Sequence, residues 1–118
     1  MSDDNQDLES SLMLPILISN SEYLELSRSI HNIIRKYSDY QNQSWEEVNQ
    51  APKEQREAAT RSLYCKQLYL SAKEMLNEMI NSRKRCPKLP YASFFLIDPV
   101  VVKEAQNFIN LERGRNFK

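Results

Sequence analysis

Glycine is almost missing from this chain. Its 118 residues hold one, Gly114, beside five prolines. Rossmann and P-loop phosphate cradles need several glycines for close backbone approach, and neither GxGxxG nor GKS or GKT occurs. Cysteine and histidine are as scarce: Cys65, Cys86 and His31 supply neither a zinc quartet nor a CxxC pair. An excess of one charge is missing too, since Lys plus Arg and Asp plus Glu number 16 each. A chain without net charge is a poor generic binder of nucleic acid, because that affinity scales with the phosphates neutralised. No apolar run approaches a membrane span; Leu12–Ile18 is short and broken by Pro15. The acidic N-terminus is the reverse of a signal peptide, and two ordinary cysteines fit a reducing compartment. A cytoplasmic location is therefore expected, in the host's cytoplasm for a viral protein.

What the chain has is helical periodicity. Residues 1–11 are polar and acidic and read as a disordered arm. Leu12–Ile18 then either covers the core as an extended segment or docks on a partner. After a cap at Ser19 or Ser21, Tyr23, Leu26, Ile30, Ile33 and Tyr37 recur at spacings of three and four, which predicts a helix over about 21–38. Ser44-Trp45-Glu46-Glu47 has the form of a capping box opening a short helix, with Trp45 expected to anchor it in the core. Pro52 suits the first position of the next helix. From Lys53 no Gly or Pro intervenes until Pro87, which predicts a long helix over about 53–82, with a local break near Ser71 allowed. The prolines at 87 and 90 impose a connector, and Ala92–Ile97 reads as a buried loop or short extended piece. Asp98-Pro99 caps and starts a last helix that ends at Gly114. The expectation is an all-α bundle of three main helices and one short capped helix. It forms a single domain over 12–112, followed by a basic tail over 113–118.

Residues with catalytic chemistry are few. His31 lies beside an apolar stripe with no nucleophile at a recognised spacing, so it reads as a partly buried structural histidine. The acidic residues on the long helix have the spacing of solvated faces. Charge is nevertheless uneven: Asp3, Asp4, Asp7, Glu9, Glu22 and Glu25 precede the first basic residue, Arg28, whereas basic residues dominate from Arg83 onward. Arg83, Lys84, Arg85 and Lys88 sit where cations favour a helix C-terminus, and they are the candidates for any nucleic-acid contact.

One stretch carries a family resemblance. His31-x-x-x-Arg35-x-Tyr37, Trp45-Glu46-Glu47, Ala51-Pro52 and Gln55-Arg56-Glu57-Ala58-Ala59 together resemble the small phage and bacterial proteins related to the ryanodine-receptor (RyR) repeat domain. Pro87-Lys88-Leu89-Pro90-Tyr91 is similar to that domain's closing proline-tyrosine segment. The likeness covers roughly residues 28–61 and, more loosely, 86–110. It implies a compact helical accessory module, with a nucleotide or other small-molecule ligand in some members. The family's Gly-Trp-x-Tyr-Gly turn is absent here, and no ligand site carries over.

The first functional expectation is a non-enzymatic accessory module, of viral origin in one version, that binds a protein partner or a second copy of itself. Its surface would come from Leu14, Leu17, Tyr91, Phe94 and Phe95, because these apolar stretches sit beside prolines rather than inside helices. The alternative is a ligand-sensing module that holds a nucleotide-like molecule through Arg35, Trp45 and Arg56. Nucleic-acid binding by the basic end is the weakest of the three. No enzyme activity, cofactor, metal or membrane contact is expected.

Overall fold

A computed structural model describes residues 14–90 and 93–115. The acidic arm, Tyr91 and the end of the basic tail lie outside the described residues. The element order is β1 (Ile16–Ser19), α1 (Asn20–Tyr37), α2 (Trp45–Gln50), α3 (Arg56–Arg85), β2 (Phe94–Ile97) and α4 (Pro99–Arg113). The fold class is all-α, with one two-stranded antiparallel ribbon added. The ribbon joins the two apolar stretches that periodicity left without partners, in the register Ile16↔Ile97, Leu17↔Leu96, Ile18↔Phe95 and Ser19↔Phe94. Pro15 prevents Leu14 from joining a helix, and the β-branched Ile16, Ile18 and Ile97 pack well on a pleated surface.

Contacts divide the chain into two compact units, Ser27–Leu76 and the residues on either side of it. In Ser27–Leu76, the predicted stripe of α1 buries Ile30, Ile33 and Tyr37, and α3 buries Leu63, Leu68, Ala72 and Met75. The connector after α1 makes a 3-10 turn at Ser38–Tyr40. It is pinned by Lys66 Nζ, which donates to the Gln43 carbonyl at 2.7 Å, and by Tyr69 Oη, which donates to Gln41 Oε1 at 3.4 Å. Half of the capping box forms, as Ser44 Oγ accepts from the Glu47 N–H at 3.3 Å.

Trp45 is not the anchor that the cap suggested. It is 64% exposed, and Val48 is the residue that α2 buries. Helical side chains lean toward the N-terminus, so a residue in first position projects past the end of the helix rather than onto its packed face. His31 is likewise exposed, beside the stripe rather than in it. Pro52 does not open α3: its backbone is extended, and a 3-10 turn at Lys53–Gln55 intervenes. The helix therefore starts and ends three residues later than its periodicity indicated, and it runs unbroken through Ser71.

In the flanking unit, Ser19 provides the cap of α1, accepting from the Glu22 N–H at 3.1 Å. The core holds Ile18, Tyr23, Met79, Phe95 and Ile97 with Val101, Val102, Ala105 and Ile109 of α4. Val100 and Leu111 of α4 are exposed. Pro99 occupies the start of α4, as its fixed φ and missing N–H allow. Arg115, within the expected basic tail, is tied to the buried Glu112 at 2.7 Å. No helix among the described residues is long and apolar enough to cross a membrane.

Candidate partner-binding groove

The ribbon departs from the usual amphipathic strand pair. One face carries Ile18, Phe95 and Ile97, all buried, with Ile16 at its margin. The other face would be polar in a solvated antiparallel sheet. Here it carries Leu17, Phe94 and Leu96 with Ser19 as the one polar residue, and Leu17 is 58% and Phe94 44% exposed. Leu14, just before the ribbon, is 83% exposed. Of the residues named from sequence for a partner surface, Leu14, Leu17 and Phe94 are exposed. Phe95 does not. It is 8% exposed and belongs to the core, because alternation along β2 sends it to the face opposite Phe94. Tyr91 lies outside the described residues.

Beside β2 lies an open groove of about 490 Å³. Its apolar wall comes from Tyr23, Ile80, Leu89 and the consecutive residues Phe94, Phe95 and Leu96, and its basic rim from Arg83, Lys84 and Lys88. The Arg83 guanidinium lies over the Phe95 ring at 4.3 Å and the Tyr23 ring at 5.3 Å. Those two rings meet edge to face at 4.8 Å. Arg83 is thereby positioned by cation–π contact and forms no ion pair among the described residues.

Arg85, grouped with Arg83 and Lys84 by sequence, does something else. Its guanidinium donates to Asp98 Oδ2 at 2.7 Å. Asp98 was expected to cap α4 with its side chain, and it makes no such bond. Its carboxylate also accepts from Ser82 Oγ at 2.9 Å, while its N–H donates back to the same oxygen at 2.9 Å. This reciprocal pair fastens the end of α3 to the start of α4, and so holds β2 and the groove between two helix termini.

Cys86 follows this clamp and is buried, as is Cys65; neither forms a disulfide. Burial pushes the Cys86 thiol up from its ordinary range, and the Asp98 carboxylate adds to this against a Ser82 hydrogen bond and the Arg85 charge. The folded thiol keeps its proton where an unfolded one, with a pKa of about 8.5, begins to lose it. Its contribution to stability is present below that value and is lost as pH rises through the raised folded value. The urea midpoint should therefore fall as pH rises through and above the ordinary thiol range, and by less in Cys86→Ala. An equal fall in both proteins would contradict the assignment.

The ligand candidates Arg35, Trp45 and Arg56 are exposed, on α1, α2 and the first residue of α3. No side-chain hydrogen bond, ion pair or ring contact joins any two of them. No group of three or more His, Cys, Asp or Glu suited to a metal occurs among the described residues. Tyr23, Ile80, Leu89 and Leu96 were not singled out by sequence, because each reads as an ordinary core position until the ribbon pairing places them around one groove. The chain matches no family model, no curated protein and no solved structure.

Proposed function

We propose that this chain is a non-enzymatic protein-binding module that associates through the outward face of its ribbon, a second copy being the simplest partner. The observation that carries this reading is the apolar outward face itself. Leu17 and Leu96 are register partners on it, and Phe94 stands diagonal to Leu17. A two-stranded ribbon that leaves leucine and phenylalanine in water forgoes about 25 cal/mol for each Å² of apolar surface it leaves uncovered. An isologous contact between two such faces covers both at once.

Light scattering across a concentration series tests the reading. The parent should show a mass that rises toward a dimer. The pair Leu14→Ser and Leu17→Ser, and separately Phe94→Ser, should return it to a monomer with unchanged helical circular dichroism. Phe95→Ser is no test, because its ring is core. Association that persists in both variants overturns the reading, and a parent that stays monomeric throughout removes the second copy as its partner.

A further inference from the structure

We propose that the groove beside β2 receives an extended peptide segment of a partner protein, acidic and apolar in alternation, which pairs as a third strand with the edge of β2 turned away from β1. This rests on the protein-binding reading above and names the chemistry of a partner for one part of that surface.

The first observation concerns which backbone groups face the groove. The Asn20 N–H donates to the Ser93 carbonyl at 2.8 Å, just beyond the Ser19↔Phe94 pair. Antiparallel strands alternate hydrogen-bonded and non-bonded pairs, so Phe95 and Ile97 turn their amides toward β1. Phe94 and Leu96 then turn an N–H and a C=O each to the opposite side. Neither makes a backbone bond outside the ribbon among the described residues. Phe94, Phe95 and Leu96 all line the groove, although successive side chains in a strand point to opposite faces. Three consecutive residues meet one cavity when it runs along the strand edge. No residue of β1 lines it. An open edge of alternating donors and acceptors matches another peptide backbone, and it is the feature used in strand addition.

The second observation is charge. The rim carries Arg83, Lys84 and Lys88, and among the described residues no Asp or Glu lines the groove. The nearby Asp98 is engaged with Arg85 and Ser82. A strand laid on β2 would present alternate side chains to the apolar wall and the remainder to the basic rim. Carboxylates satisfy the rim, and branched apolar residues satisfy the wall. A phosphate backbone offers acceptors alone and leaves the N–H and C=O alternation half matched, so a peptide fits this edge better than a nucleic acid.

The test uses the full chain and an end-labelled peptide alternating Glu with Val, followed by fluorescence polarisation, with a Lys-for-Glu peptide and a single-stranded oligonucleotide as comparisons. The acidic peptide should bind and the basic one should not. Lys84→Glu with Lys88→Glu, both at exposed positions, should weaken binding about ten-fold, and added salt should weaken it in the parent more than in the variant. Binding should also slow hydrogen exchange at the Phe94 and Leu96 amides. Equal binding of both peptides overturns the proposal, as does indifference to the charge reversal, unchanged exchange at those two amides, or an oligonucleotide bound as well as the peptide. Self-association is read separately, by light scattering without peptide. A chain that dimerises but ignores the peptide keeps the proposed function and loses this inference. A monomer that binds it supports this inference and loses the second copy as partner.

Discussion

Ile97→Ala should lower the free energy of unfolding by about 2–5 kcal/mol, whereas Trp45→Ala should stay within about 0.5 kcal/mol of the parent. The contrast runs against the intuition that the single tryptophan is the costliest residue to remove. Ile97 is fully buried at the end of β2, where the loss of its branched side chain leaves a cavity between closely packed neighbours. Trp45 opens α2 with most of its surface in water, so its removal uncovers little. Against a typical total of about 5–15 kcal/mol, the first change takes a large share of the stability and the second almost none. Chemical denaturation with an unchanged m-value is the measurement. Equal losses for the two variants would put Trp45 back in the core.

Ser82→Ala should cost about 1–3 kcal/mol, a large effect for the removal of one hydroxyl. Ser82 is fully buried, and its oxygen both donates to the Asp98 carboxylate and accepts from the Asp98 N–H. Alanine leaves both groups of Asp98 without that partner in a half-buried place. Arg85 also bonds Asp98, but its side chain is mostly exposed, and solvent screening reduces its worth. Arg85→Ala should accordingly cost less than about 1 kcal/mol. The order of the two losses is the decisive point: a larger loss for Arg85→Ala would mean that the ion pair, not the hydroxyl, fastens α3 to α4.

The sequence made the helices legible because their signals are local. Tyr23, Ile30, Ile33 and Tyr37 lie within a few turns of one another, and the cap at Ser19 is adjacent to the helix it starts. The ribbon was not legible for the opposite reason. Ile16 and Ile97 stand near opposite ends of the described chain, and each strand is an unbroken apolar run of the kind that also reads as a buried loop. Without the pairing, Phe94 and Phe95 look equivalent. With it, one faces solvent and the other the core. The basic cluster shows the same limit: Arg83 and Arg85 are two residues apart on one helix, and they separate into an aromatic-stacked rim and a structural clamp once β2 and Asp98 are in place.

Intermolecular NOEs in a sample mixing isotope-labelled and unlabelled copies show whether the outward face of the ribbon is the surface through which the chain associates. NOEs should link Leu17, Phe94 and Leu96 of one copy to the same side chains of another. Their absence at concentrations where the chain associates, or NOEs centred instead on Trp45 and its neighbours, would contradict it.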